Sequence, residues 1–189
     1  DETFAVMPMN QEAMDASIDD LIKLKDLIHY ALLHVLRIRF KVDVIYTSVS
    51  SILMSLNPFQ PLPLYTRDVL MEYLRKPSSA LKPHIYLVAR NAYTALRSNG
   101  EEQAVLIEGE SGAGKTETAK IVMRFLTHAS RTDTTSGNVI QERILNANPI
   151  LESFGNAATK RNRNSSRFGK YNMMFFNKVS KGKDMSLPN

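Results

Sequence analysis

No cysteine occurs among the 189 residues. That excludes a disulfide framework and thiolate metal sites, and it leaves the compartment open. Long apolar runs free of charge are also lacking, so no segment reads as a membrane-spanning helix. The first residues, Asp1-Glu2-Thr3, are acidic, and no basic region followed by an apolar core comes after them. This speaks against a secretory signal in the residues at hand, although Asp1 is not an initiator methionine. No internal repeat is visible. What the chain does have is a hydrophobic fraction of 43%, enough for a core, and an ordinary charged fraction of 23%. Its length suits one domain of common size. The net charge of +5 comes largely from one stretch, Lys160 to Lys170. A basic balance fits nucleic acid, an anionic membrane, an acidic protein surface or a nucleotide, so the question is what this stretch binds.

The patterning alternates between helix and strand. Residues 1–18 show weak periodicity and read as an irregular segment. Leu21, Leu24 and Leu27, then Leu32, Val35 and Leu36, recur at spacings of three and four, which predicts helical turns with one buried face. Val42 to Leu56 is rich in β-branched and aromatic residues and predicts two short strands with a turn near Ser50-Ser51. Asn57-Pro58-Phe59-Gln60-Pro61-Leu62-Pro63 is a loop, because its prolines remove backbone donors and fix φ. Helices are expected over Thr66–Lys76 and from Pro83 to Asn99, the latter with Ile85, Val88, Ala92 and Leu96 inward. The apolar run within Gln103–Glu108 predicts a strand buried on both faces of a parallel sheet. A helix over Lys115–His128 follows, then a polar loop over Arg131–Asn138. Short helices are expected at Val139–Leu145 and Ile150–Phe154, and a strand at Tyr171–Phe176. The fold class is therefore α/β, a mostly parallel sheet with flanking helices.

Gly109-Glu110-Ser111-Gly112-Ala113-Gly114-Lys115-Thr116 matches the phosphate-loop pattern G-x-x-x-x-G-K-[ST] in full. An apolar strand is expected before it and an amphipathic helix after it, as the pattern requires. Glycines let the backbone curl so that N–H groups point inward at phosphate, and the helix that begins at Lys115 adds its N-terminal dipole. In such a loop Lys115 reaches the β- and γ-phosphates and the Thr116 hydroxyl ligates Mg²⁺. A glycine-rich turn without a ligand shares the bare pattern but not the flanking elements.

Lys160-Arg161-Asn162-Arg163-Asn164-Ser165-Ser166-Arg167-Phe168-Gly169-Lys170 admits three readings. It is a solvated charged loop, a nucleic-acid patch with Phe168 available to stack, or a nucleotide switch whose Asn and Ser side chains contact phosphate and Mg²⁺. The phosphate loop upstream and the hydrogen-bonding character of Asn164-Ser165-Ser166 favour the switch.

The residues at this point resemble a myosin motor head. Gly109 through Thr118 matches the myosin form of the phosphate loop, and Asn162 to Lys170 resembles switch I. Asn57-Pro58-Phe59, with Leu62-Pro63 and Tyr65, resembles the purine-binding loop, and Leu151 to Ala157 the run leading into switch I. The resemblance covers roughly Asp19 to Phe176 and places residues 19–189 in the N-terminal part of a myosin-like motor domain of the P-loop NTPase type. It implies a residue-by-residue assignment. Lys115 holds the β/γ-phosphates, and Thr116 and Ser166 hold Mg²⁺. The backbone from Gly109 through Glu110, Ser111, Gly112, Ala113 and Gly114 wraps the phosphates, with Glu117 counted at the same site. Asn162 contacts the α/β-phosphate region. Ser165 binds the γ-phosphate and positions the attacking water. Asn57, Pro58 and Tyr65 border the adenine, and Arg167 pairs with a switch II glutamate to close the site. Plainer roles exist for several of these: a turn for Asn57-Pro58, packing for Tyr65, a surface charge for Arg167, and no chemistry for Glu117.

The resemblance further implies ATP and Mg²⁺ as ligands, actin filaments as partner, no nucleic acid, and a cytoplasmic, cytoskeletal setting. In the intact protein it implies Mg·ATP hydrolysis coupled to movement on actin. After Lys170 no Asp-Ile-x-Gly-Phe-Glu run is found, so the sheet is expected to be incomplete, with exposed apolar edges, and the chain is expected to bind nucleotide with little turnover. A non-catalytic nucleotide-binding module is the alternative. Ser50 stands where this family usually has glycine, which predicts a strained turn.

Overall fold

The computed structural model describes residues 15–25, 27–130 and 136–176, with helix residues 136–142, 144, 145 and 148 described by backbone alone. The chain forms two compact units. One comprises residues up to Pro63 together with Lys82–His84, and the other Leu64–Leu81 and the residues from Ile85 onward.

In the first unit, a 3-10 turn at Leu21–Lys23 precedes helix α1, His29–Lys41, and strands β1, Tyr46–Val49, and β2, Ile52–Ser55. The expected helical stretch is thus split, and Leu27 falls in the break and is exposed. Leu21, Leu24, Ala31, Val35 and Leu36 form the core, with Val49, Met54 and Leu56 from the hairpin packed against it. Full burial of a Leu or Val side chain such as Leu21 or Val35 contributes about 1.5–3 kcal/mol.

The hairpin is antiparallel, pairing Val49 with Ile52 and Tyr46 with Ser55, and it turns at Ser50-Ser51 as expected. Ser50 has φ +55°, in the left-handed region. Its N–H donates to the Asp20 carboxylate at 3.1 Å, which also accepts from the Ile22 N–H at 3.2 Å. The buried Arg39 guanidinium ties this unit together, donating to the Thr47 hydroxyl and to the carbonyls of Ala16, Ile18 and Tyr46. Burial holds its pKa below the ordinary value, and the Asp19 carboxylate partly offsets this. The Tyr46 and His84 rings meet edge-to-face at 4.8 Å and bring Lys82–His84 into the same unit.

The second unit is helical. Helix α2, Arg67–Arg75, starts where the Thr66 side chain accepts from the Val69 N–H. Helix α3 spans Ile85–Asn99 and helix α4 Lys115–Ala129. Tyr86 stacks on Phe125 with centroids 5.0 Å apart, and Tyr73 and Tyr65 meet Tyr86 edge-on. The inward face of α3 is Ile85, Tyr86, Ala89, Arg90 and Tyr93, rotated from the expected Ile85, Val88, Ala92 and Leu96. Two forces set this rotation. The tyrosines bury more area than Val88 or Leu96 could, and Arg90 donates to the carbonyls of Tyr73 and Lys76, closing the C-terminal end of α2.

Helix α5, Ser136–Gly155, runs through Pro149 as one element, where two short helices were expected. Residues 131–135 of the expected polar loop lie outside the described residues, and 136–138 belong to α5. A two-residue antiparallel ladder follows, β3 at Asn156–Ala157 and β4 at Ser165–Ser166, with Asn156 opposite Ser166 and Ala157 opposite Ser165.

The expected strands at Gln103–Glu108 and Tyr171–Phe176 are not formed among the described residues. A parallel strand exists only through ladder bonds to its neighbours, and neither segment has a paired neighbour among the described residues. Both segments expose apolar side chains: Leu106 is 87% exposed, and Tyr171, Met173 and Phe175 are exposed on alternating residues. Phe176 is half-buried against Tyr93, ring centroids 5.3 Å apart. No described helix is long and apolar enough to cross a membrane.

Candidate functional site

The loop Gly109–Gly114 runs from the extended segment directly into α4. Gly112 and Gly114 have φ of +85° and +93°. An L side chain is strained in that region, so the curl depends on these two residues. Gly114 occupies the cap position of α4, and its carbonyl accepts from the Thr118 N–H at 2.9 Å. The free N–H groups of the first turn of α4 therefore begin at the loop. Glu117 in that turn complements the helix dipole. The Lys115 ammonium bends back over the loop and donates to the carbonyls of Gly109 at 2.6 Å and Glu110 at 2.8 Å. A cation and a helix N-terminus thus meet at one loop, a combination suited to a multiply charged anion.

The segment Asn162–Ser166 packs against this loop. The Ser111 and Ser165 hydroxyls are 2.9 Å apart, and Ser165 is 2% exposed. A Cβ on Gly112 would lie 3.8 Å from that of Asn162, which places Asn162 beside the loop as well. Arg161 reaches the Glu110 carboxylate at 3.2 Å, although both side chains are largely in water and such a pair contributes little. The segment has its own scaffold. Thr159 and Asn162 exchange hydrogen bonds through the Thr159 hydroxyl and backbone, and the Asn162 side chain accepts from the Asn164 N–H at 3.0 Å. The Arg167 N–H donates to the Gly155 carbonyl, and Phe168 lies so close to Gly155 that a Cβ there would fall 1.8 Å from the ring.

The remaining sequence-derived candidates are spread more widely. Thr116 is half-buried in the first turn of α4, Ser166 is half-buried in β4, and Ala113 is half-buried in the loop. Glu117 is exposed and pairs with Lys120 at 2.8 Å rather than with the loop. Arg167 is exposed, and among the described residues its guanidinium meets no carboxylate. Tyr65 is half-buried against Tyr86 in the second unit. Asn57 and Pro58 belong to the first unit, where the Asn57 side chain accepts from the Phe59 N–H at 2.9 Å. That bond makes the turn, and Phe59 takes φ +52° within it.

The hydroxyl donors of Thr116 and Ser166 are hard oxygen ligands. They suit Mg²⁺, which keeps several waters and takes few protein ligands. No group of three or more His, Cys, Asp or Glu able to hold a metal occurs among the described residues.

Comparison with known proteins bears on this arrangement. The family described as myosin head (motor domain) matches residues 18–187. The chain belongs to the myosin head family. It is 42% identical to Myosin-11 of Arabidopsis thaliana over 174 residues, 92% of this chain and 11% of that protein. It is 47% identical to the high molecular weight form of myosin-1 of Acanthamoeba castellanii over 161 residues, 85% of this chain and 10% of that protein. With the Myosin IA heavy chain of Dictyostelium discoideum it shares 45% identity over 163 residues, 86% of this chain and 16% of that protein. The chain thus spans about a tenth to a sixth of these myosins.

Within this myosin head segment, sequence reasoning missed Glu152, Lys120, Asn156 and Thr159. Each acts through a contact with a residue distant in sequence or through a backbone group, and a linear pattern carries no sign of that. The available signals were the resemblance of Leu151–Ala157 to the run leading into switch I and the density of Asn and Ser in 156–166, since such side chains commonly fasten loops.

Proposed function

We propose that this chain is the nucleotide-binding part of an actin-based myosin motor, with residues 19–189 forming the N-terminal part of the motor domain. Its ligand is Mg·ATP, held by a P-loop NTPase-type fold in which 103–108 and 171–176 become strands of a mostly parallel sheet once neighbours pair with them. The observation that carries this is the contact of Ser111 with Ser165 at 2.9 Å, in a loop whose Gly109 and Glu110 carbonyls the Lys115 ammonium holds. Two motifs matching the phosphate loop and switch I meet where both would touch one terminal phosphate.

In this reading the backbone of Gly109–Gly114 and Lys115 bind the β- and γ-phosphates. Asn162 steadies the α/β region, and Tyr65 borders the adenine. The Thr116 and Ser166 hydroxyls would hold Mg²⁺, which would supply charge neutralisation when bound. The Ser165 hydroxyl orients the water for in-line attack, and Lys115 stabilises the negative charge of the transferring group; catalysis is positional and electrostatic. Arg167 completes closure with a switch II carboxylate. No Asp-Ile-x-Gly-Phe-Glu run occurs in these 189 residues, so the chain alone binds nucleotide and turns it over slowly. In the intact protein, hydrolysis drives movement along actin filaments in the cytoplasm, with no part for nucleic acid.

The test is Mg·ATP binding to the purified chain and to Lys115→Ala, with phosphate release followed in the same samples. Losing a charge-assisted contact should weaken binding at least about tenfold. Equal binding by both chains, or no binding by a folded wild type, would overturn the proposal.

A further inference from the structure

The carboxylate of Glu152, near the end of α5, faces two ways. Its Oε2 accepts from Nδ2 of Asn164 at 3.3 Å, and its Oε1 lies 3.6 Å from Nζ of Lys120. Lys120 stands on α4, the helix that grows out of the phosphate loop, and also pairs with Glu117 at 2.8 Å. The Lys120 and Glu152 side chains are only 24% and 20% exposed, whereas the Lys23–Asp19 pair is 62% and 42% exposed. Water screens the inner pair less, so it holds its geometry better. The Glu117 hydrogen bond first, and then the attraction of Glu117 and Glu152, hold the Lys120 ammonium above its usual pKa.

Asn164 is fastened on its other side too. Its Oδ1 accepts from Nδ2 of Asn156 at 2.8 Å, at the start of the β3–β4 ladder. The next residue is Ser165. Polar contacts therefore lead from the phosphate-loop helix through Glu152 to Asn164, and the peptide bond carries the tie on to Ser165, whose buried hydroxyl faces Ser111.

We infer that Glu152 is a positioning residue of the phosphate site: its carboxylate ties Asn164 to Lys120 and so holds Ser165 against the phosphate loop. This rests on the nucleotide role proposed above. The Gly109–Lys115 loop is built by its own glycines and by α4, so it does not need Glu152. Removing the carboxylate should loosen only the Asn162–Ser166 side. A ligand whose terminal phosphate meets Ser165 should suffer, and a diphosphate held by the phosphate loop should not.

The experiment compares the chain with Glu152→Ala, Glu152→Gln and a solvent-pair control, Glu72→Ala. Trypsin cleavage after Arg163 and Arg167, followed by mass spectrometry without nucleotide, reads the anchoring of the loop. Affinities for Mg·ADP and for a non-hydrolysable Mg·ATP analogue read the site. In Glu152→Ala, loop cleavage should quicken about fivefold or more through local opening. The analogue should bind about tenfold more weakly, the equivalent of one charge-assisted hydrogen bond, with Mg·ADP within about twofold. Glu152→Gln, whose amide oxygen still accepts from Asn164, should recover most of both. Unchanged cleavage in Glu152→Ala overturns the inference whatever the nucleotides do. Equal losses for both nucleotides overturn it as well, because that marks general destabilisation. Faster cleavage in a chain whose wild type binds neither nucleotide overturns the nucleotide proposal, and the positioning role with it, while leaving the Glu152–Asn164 tie standing.

Discussion

Ser111 and Ser165 share a hydrogen bond of 2.9 Å although 54 residues separate them. Each hydroxyl can donate or accept, so the pair can reorient without losing its bond when an anion offers a third partner. Ser165 is buried, and truncating its partner leaves a hydroxyl with fewer options. The double-mutant cycle Ser111→Ala, Ser165→Ala should give a coupling of about 0.5–1.5 kcal/mol in chemical denaturation. A coupling indistinguishable from zero would mean that the two loops are independently held.

Gly155 is where α5 gives way to β3 and where the Phe168 ring lies. A methyl group there cannot coexist with the ring, since its position is 1.8 Å from a ring carbon. Phe168 is 41% exposed, so the ring can swing outward, leaving its contact with the Lys170 ammonium at 5.6 Å. Gly155→Ala should therefore cost about 1–2 kcal/mol rather than block folding. In a Phe168→Ala background the same substitution should cost less than about 0.5 kcal/mol. Thermal melts of the four chains measure both values.

At the β1–β2 turn the strain is in the backbone. Ser50 holds φ +55°, a region that disfavours side chains. Ser50→Gly removes that strain, keeps the N–H bond to Asp20, and gives back part of the gain in unfolded-chain entropy. The expected net effect is a stabilisation of about 0.5–1 kcal/mol, seen as a higher melting temperature. A lower one would show that the Ser50 side chain contributes more than its backbone costs.

Alkaline stability should report on the tyrosine core. Burial pushes the Tyr73 phenol up to about 12 from 10.0. Tyr86 is shifted in the same direction by burial. A folded pKa above the unfolded one means that folding favours the neutral form. That stabilisation is fully present below pH 10 and is lost as pH rises toward 12. Denaturation midpoints should fall across that window, and Tyr73→Phe should remove about 2 kcal/mol of the pH-dependent loss. A Tyr73→Phe curve parallel to wild type would show that the alkaline loss lies elsewhere.

Local chemistry by itself determined much of this protein. The Ser50-Ser51 turn, the loop at Asn57–Pro63, the helices after Thr66, Pro83 and Gly114, and the phosphate-loop motif are each specified within a few residues, by caps, prolines, glycines and side-chain spacing. The motifs also sufficed to name the family. Tertiary structure decided what local pattern cannot carry. Which face of α3 turns inward depended on where Tyr73 and Phe125 lay and on α2 needing Arg90 at its end. Whether Gln103–Glu108 and Tyr171–Phe176 are strands depends on neighbours to bond with, because an extended segment has no ladder of its own. The meeting of Ser111 with Ser165, and the bridge from Lys120 through Glu152 to Asn164, arise only when α5 returns the chain to α4. Hydrogen bonds act over about 3 Å, so contacts between residues far apart in sequence exist only once the chain has folded.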